Sequence, residues 1–435
     1  MKRISVVGLG YIGLPTAIIA AQAGFEVLGY DIDRDRVKRI NEGIPTIFEP
    51  EVAERLLNTL QRKNFCAYED LQYADCFIIA VPTPFKDGKK ADLSYVFSAA
   101  EQVGRRLMPG NLVILESTVP VGTTLRMAKY LEDLSGLKLG VNFFVAYCPE
   151  RVLPSNIFKE IVFNDRVIGG VCQRSCELAK FFYEKFAKGF LHVTDDKTAE
   201  MVKLVENSSR DVQIAFANQV DAMCRRANIS PYDVIDLANR HPRVHVLAPT
   251  CGVGGHCIAV DPWFLIESFP EQTPLLQLAR NINDEKPINI IKQTVQHAKK
   301  IKTQTGHKAK VLTLGLTYKP DVDDLRESPA LNITHALNGH RDCISLSSYE
   351  PHLSKEQMDE MPFAMTMDLF QAIEDADIVV VLVRHKSFSL LSKAAFENKI
   401  LIDTCGLMHS INVKQTQAKQ EADSEASFKT TTSSM

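Results

Sequence analysis

Six residues near the start constrain this chain more than anything that follows them: Gly8-Leu9-Gly10-Tyr11-Ile12-Gly13. A strand-like run over 4–8 leads into them, and a helix-like apolar run over 12–23 follows. In that setting the first glycine allows a tight turn and the second lets a pyrophosphate approach the backbone. The third allows the helix to pack closely on the strand. The N-terminus of the helix then attracts phosphate charge. Asp31 closes the next strand-like run, over 27–31. A carboxylate there accepts a hydrogen bond from a ribose 2′-hydroxyl and repels a 2′-phosphate, which selects NAD over NADP.

A chain of 435 residues is too long for one hydrophobic core. Short apolar runs recur at 76–81, 112–117 and 143–147, separated by helical segments, as in a parallel sheet covered on both faces. From 198 to 228 apolar residues fall at helical spacing without Gly or Pro, predicting one long helix. A second α/β pattern opens at 310–314 and repeats at 344–347, 378–382 and 400–403. The predicted fold is α/β, with two Rossmann-like doubly wound domains joined by a long central helix. The expected boundaries are 1–197 (NAD binding), 198–302 (helical dimerisation), 303–411 (the second α/β domain) and a disordered Ser/Thr-rich tail over 412–435.

The net charge of −3 gives no global case for nucleic acid or an anionic membrane as partner. No apolar run reaches the roughly 18–20 residues of a membrane span. The N-terminus shows no cleavable signal pattern, so a cytoplasmic protein is expected. Ten cysteines are scattered with no CxxC pair, which argues against a disulfide framework and against a metal site. Most are expected to be small buried hydrophobes.

Three segments carry residues that folding alone does not require. In Gly252-Val253-Gly254-Gly255-His256-Cys257-Ile258-Ala259-Val260-Asp261 a glycine-rich approach frees a thiol from crowding, and Cys257 shares a face with Asp261 if the stretch is helical. Lys203 and Asn207 are four apart on the predicted long helix, and a cation beside an amide donor suits a developing oxyanion. Glu150, in Tyr147-Cys148-Pro149-Glu150-Arg151, follows a strand end, where an open α/β sheet binds its ligands.

With these residues in hand, the chain resembles the UDP-glucose/GDP-mannose dehydrogenase family over residues 1–410. The matching marks are Gly8 to Gly13, Val81-Pro82-Thr83-Pro84, Glu116-Ser117-Thr118, Pro149-Glu150, Lys203 with Asn207, and Gly254-Gly255-His256-Cys257 with Asp261. Tyr318-Lys319-Pro320 and Arg326-Glu327-Ser328-Pro329 complete the set. Within the family, 148–154, 239–244 and 256–264 are most similar to the branch acting on UDP-N-acetyl-D-mannosamine. Ser155 and Thr250-Cys251 depart from the usual pattern near the expected sugar pocket and leave the epimer open.

The resemblance implies oxidation of a sugar C6 alcohol to the carboxylate with two NAD⁺ consumed, through a thiohemiacetal and then a thioester on Cys257. It implies that Lys203 and Asn207 stabilise the oxyanion, Asp261 moves protons through water, Glu150 serves hydrolysis, and Thr118 holds the water or the substrate hydroxyl. NAD would be held by Gly8, Gly10, Tyr11, Ile12, Gly13, Asp31, Arg36, Pro82, Thr83 and Thr118. The UDP-N-acetylhexosamine would meet Glu150, Arg151, Lys203, Asn207, Gly254, Gly255, Tyr318, Lys319 and Arg326, with Arg243 reaching in from a neighbouring subunit. A homodimer or higher homo-oligomer through the long helix, and a place in polysaccharide synthesis, are also implied. UDP-N-acetylglucosamine and UDP-glucose remain alternative substrates. A single-step β-hydroxyacid dehydrogenase needs neither the thiol nor a second α/β domain. A non-catalytic nucleotide-sugar sensor would tolerate loss of Cys257, Lys203 or Asp261, and all three are present.

Overall fold

The computed structural model describes residues 1–412 apart from Phe48, residues 153–155, His256 and the side chain of Asp87. Ser155 and, beyond Asn412, the expected tail therefore lie outside the described residues. The chain folds as two compact units, Met1–Asn207 with Val260–Thr273 and Ser208–Ala259 with Pro274–Met435. The boundary falls inside one 32-residue helix, Asp196–Ala227.

The first unit is built on an eight-stranded sheet. Its strands are β1 (Arg3–Val7), β2 (Glu26–Tyr30), β3 (Phe65–Tyr68), β4 (Cys76–Ile79), β7 (Leu112–Leu115), β8 (Phe144–Tyr147), β9 (Arg166–Gly170) and β10 (Leu191–Asp195), with a small hairpin of β5 (Phe85–Lys86) and β6 (Lys90–Ala91) outside it. β4 and β7 read Cys-Phe-Ile-Ile and Leu-Val-Ile-Leu and are buried along their whole length. Such uninterrupted apolar strands form because helices cover both faces of a parallel sheet. The order β10-β9-β8-β7-β4-β1-β2-β3 contains the parallel six-strand order of a dinucleotide fold, and its switch point lies between β1 and β4. β9 then joins β8 antiparallel. Two apolar clusters fill the two faces, one around Ile18, Ile78 and Phe182, the other around Phe77, Val113 and Leu131.

The second unit repeats the plan with β11 (Ala309–Leu314), β12 (Ile344–Tyr349), β13 (Ala364–Met365), β14 (Ile378–Val381) and β15 (Ile400–Asp403). All pair parallel in the order β13-β12-β11-β14-β15. Both units are thus doubly wound α/β folds, as the alternating pattern predicts. A second 32-residue helix, Pro274–Thr305, is absent from the expectations, and Pro287 in its interior accounts for that. Buried polar groups tie it to the long helix: Asp211 accepts from Arg280 at 2.6 Å and from Asn283 at 2.8 Å, and Asn218 donates to Asn283 at 3.0 Å. Among the described residues, no helix is long and apolar enough to cross a membrane.

Candidate active site

The turn after β1 is shaped by contacts that exclude a side chain. Gly8 adopts φ 92°, and a Cβ there would lie 2.6 Å from the carbonyl oxygen of Ala80. At Gly10 a Cβ would meet nothing within 4 Å, so this stretch of backbone is open to a ligand. Asp31, only 4% exposed, accepts from the Leu9 amide at 2.8 Å, the Asp33 amide at 3.0 Å and the Arg36 guanidinium at 2.9 Å. One carboxylate therefore fixes the glycine turn and the corner where a ribose would sit. Arg36 also reaches Asp33 at 3.6 Å, so two carboxylates outweigh one cation there and disfavour a 2′-phosphate. Ser117 accepts from the Val81 amide at 2.9 Å and donates to the Val81 carbonyl at 2.7 Å, which staples the segment carrying Pro82 and Thr83 to the one carrying Thr118. Tyr11 donates to Glu49. Open backbone, a buried acid and an ordered rim are what a dinucleotide requires.

The chemistry-bearing groups of the first unit start from a cap. Glu200 accepts from the Gly122 amide at 2.5 Å and the Thr124 amide at 2.7 Å, closing the N-terminus of the helix Thr123–Ser135. Burial raises the pKa of this carboxyl. The contact anchors the first turns of the long helix, and Lys203 and Asn207 follow on the turns after it. Their shared partner is Asp261, the first residue of the helix Asp261–Ser268. Asn207 donates to Asp261 at 2.5 Å, and Asp261 is 3% exposed. Burial raises the Asp261 carboxyl to about 6, against the opposing pull of the Lys203 charge and the Asn207 hydrogen bond.

Glu150 is held differently. Arg166 donates to it at 2.9 Å, with both side chains nearly out of water, and the Arg151 amide donates at 2.8 Å. Behind this pair lies a second carboxyl, Glu116, which accepts from Tyr183 at 2.8 Å and Thr16 at 3.3 Å. The Arg166 guanidinium stands 4.7 Å over the Tyr183 ring. Burial raises Glu116, the Glu150 charge raises it further, and Arg166 opposes both. Two carboxyls thus share one guanidinium, and the one further from it, Glu116, is pushed up to about 7. Arg151 donates to Glu206 at 2.9 Å and to the Asp165 carbonyl at 3.2 Å. Among the expectations Arg166 is absent, and Glu200 and Glu116 carry no role of their own. The partners of Arg166 and Glu200 are remote in sequence, so no spacing reveals them.

The exposed thiol lies in the second unit. Of the ten cysteines only Cys257 is exposed. Burial pushes the Cys148 thiol up to about 11 and the Cys251 thiol up to about 12, so neither is available as a thiolate. Residues 257–260 form a turn, and helix begins only at Asp261. The expectation that Cys257 and Asp261 share a helical face is therefore corrected, since Pro262 favours a helix start beside it rather than an earlier one. A Cβ on Gly254 would lie 2.6 Å from both the Glu327 carbonyl oxygen and Pro329 Cδ, and the Gly255 amide donates to that same carbonyl at 3.3 Å. Gly254 and Gly255 are thereby seated on Tyr318 and on the segment after Arg326. Lys319 Nζ lies 5.7 Å from the Tyr318 ring centroid. Arg326 is an exposed side chain gripped by Asp324 at 2.9 and 2.6 Å. Arg243 is exposed in the stretch after the helix Pro231–Ala238. Gly254→Ala is expected to displace the cysteine loop and lower turnover at least tenfold, with a drop in melting temperature from the backbone clash. Steady-state kinetics and a thermal melt check both.

Residues 2–187 match the NAD binding domain of the UDP-glucose/GDP-mannose dehydrogenase family, 197–285 its central domain and 312–410 its UDP binding domain. The chain belongs to this family. A UDP-N-acetyl-D-mannosamine dehydrogenase of Campylobacter jejuni is 45% identical over 398 residues, spanning 89% of this chain and 96% of that protein. An NDP-N-acetyl-D-galactosaminuronic acid dehydrogenase of Ralstonia nicotianae is 41% identical, spanning 93% and 96%. The solved UDP-D-ManNAc dehydrogenase of Pyrococcus horikoshii superposes with a TM-score of 0.84 at 40% identity, over 93% of this chain and 96% of that one. The chain is an NAD-dependent oxidoreductase that acts on a UDP-sugar.

Proposed function

We propose that the substrate is UDP-N-acetyl-D-mannosamine and that its C6 alcohol is oxidised to the carboxylate in two steps, with Cys257 holding the intermediate. The observation that carries this reading is the exposure of Cys257 alone among ten cysteines, after a loop in which Gly252 and Gly254 have no room for a Cβ. NAD⁺ supplies the oxidant by accepting a hydride in each step. In between, the Cys257 thiolate adds to the C6 aldehyde, forming a C–S bond and a thiohemiacetal. Oxidation converts that to a thioester, and water releases the uronate and the thiolate.

Lys203 and Asn207 stabilise the oxygen that gains charge at C6, and Asp261 accepts protons through water. Glu150, held by Arg166 at 2.9 Å, directs the water that hydrolyses the thioester. Cys257 and Asp261 lie four positions apart, so the chain alone keeps their Cα atoms within about 14 Å. Gly8, Gly10, Tyr11, Ile12, Gly13, Asp31, Arg36, Pro82, Thr83 and Thr118 hold the dinucleotide. Lys319 and Arg326 face the UDP diphosphate. A second copy covers the long helix, where Phe216 and Met223 lie seven positions apart on one stripe at 52% and 56% exposure.

Asp261 gives a pH prediction. With its carboxyl at about 6, it is a base above that pH and a spent one below it. Turnover is expected to fall on the acid side with a midpoint near 6, and Asp261→Asn to remove that limb along with most of the activity. A kcat/KM profile across that range, which reports the free enzyme, checks it. Substrate is tested by comparing kcat/KM for UDP-N-acetylmannosamine, UDP-N-acetylglucosamine, UDP-N-acetylgalactosamine and UDP-glucose. Preference for the mannosamine sugar is expected. A galactosamine preference would follow the 41% identical Ralstonia relative instead.

A further inference from the structure

The turn that opens the second unit copies the cofactor turn of the first. In the first, Gly8 at φ 92° donates to Tyr30 at 2.8 Å, and Asp31 accepts from the Leu9 and Asp33 amides. In the second, Gly315 at φ 85° donates to Tyr349 at 3.0 Å. Glu350 there accepts from the Leu316 amide at 2.7 Å and the His352 amide at 3.0 Å. Glu350 is thus the counterpart of Asp31. The two part company at the next contact. Asp31 meets the partly exposed Arg36, whereas Glu350 is sealed by the fully buried His385, at 3.0 Å from His385 Nε2.

His385 is committed on both nitrogens. Its Nδ1 accepts the Asp321 amide at 3.0 Å, which assigns the proton to Nε2, where it is donated to Glu350. The segment from Leu316 to Asp321 is therefore clasped at both ends: Glu350 takes the Leu316 amide, and the Thr317 amide at 3.3 Å, while His385 takes Asp321. Asp321 in turn accepts from the Lys386 amide at 2.9 Å. Between the two grips, Thr317 donates to the Lys319 carbonyl at 2.9 Å. The His385 ring also packs against His352 at 4.8 Å and Phe388 at 5.3 Å between ring centroids, and the Lys386 ammonium lies 3.6 Å from Asp321. Asp321, His352 and His385 offer ligand atoms within 4.8 Å of one another, but a histidine with both nitrogens in use fits a clasp better than a cation site.

We propose that Glu350 and His385 are positioning residues for the UDP-sugar: through their hydrogen bonds to the Leu316, Thr317 and Asp321 amides they set the loop that carries Tyr318 and Lys319. The proposal rests on the reading that Lys319 binds the diphosphate. It is tested on full-length enzyme by UDP titration calorimetry and steady-state kinetics for Lys319→Ala, His385→Asn, His385→Gln and His385→Ala. The asparagine oxygen sits where Nδ1 does and keeps the Asp321 contact; the glutamine amide sits where Nε2 does and keeps only the Glu350 contact. The expected result is a roughly tenfold weaker UDP affinity and higher sugar KM for His385→Gln and His385→Ala, with partial rescue in His385→Asn. Both kcat and the KM for NAD⁺ should stay within about twofold. Unchanged UDP affinity in His385→Gln and His385→Ala, with Lys319→Ala weakened, would overturn the clasp alone. Equal losses of kcat and of NAD⁺ and UDP affinity in all three His385 variants would overturn it too, as plain structural damage. Unchanged UDP affinity in Lys319→Ala would remove the underlying reading and this proposal with it.

Discussion

Cys257→Ser is expected to lower kcat with the UDP-sugar by about a thousandfold or more, with NAD⁺ affinity preserved. A serine hydroxyl ionises far less readily than a thiol near neutral pH, and a serine adduct is a poorer leaving group in the hydrolytic step. The exposed position makes a folding explanation weak, since an exposed single-atom exchange changes stability by only about 0.5 kcal/mol or less. The variant should therefore melt with the wild type. First-step chemistry needs no thiol, so a slow formation of aldehyde is expected to survive, detectable by trapping with a hydroxylamine. Wild-type turnover in the variant would make Cys257 a surface residue without a role.

Lys203→Ala should cost about a hundred- to a thousandfold in kcat, the usual loss when one charge-stabilising group is removed from a buried site. At 8% exposure Lys203 faces little water, so its charge acts at close to full strength on what lies beside it. The same substitution removes the charge that pulls the Asp261 carboxyl down. The acid limb of the pH profile is thus expected to move above its wild-type midpoint of about 6, because burial then acts on Asp261 opposed only by Asn207. A rate loss without a shifted limb would separate Lys203 from Asp261 and leave the lysine as a substrate ligand only.

Local patterns were legible. The glycines at 8, 10 and 13, the most apolar strands of both sheets and the long helix declare themselves locally, over the range in which turn geometry and hydrophobic period operate, whereas β3, β9, β10 and β13 do not. The pairing of Lys203 with Asn207 was legible for the same reason. Glu200 was not, because its partners Gly122 and Thr124 lie 78 and 76 positions away. Arg166 meets Glu150 across a strand pair that turns antiparallel, β8 with β9, against the parallel pattern of the rest. The helix Pro274–Thr305 hides behind Pro287, and residues 257–260 form a turn because the helix starts at Asp261 with proline next to it. The first two are tertiary facts that no window of sequence contains; the last two turn on prolines whose effect the local pattern leaves open.

The proposal at stake is that the sugar passes through two oxidations, with one thiol holding the aldehyde between them. The direct measurement is NADH formed per UDP-N-acetylmannosamine consumed, followed to completion with limiting sugar and identification of the product. The account predicts two NADH and the uronate for each sugar, with no free aldehyde. One NADH per sugar, with aldehyde accumulating in solution, would contradict it.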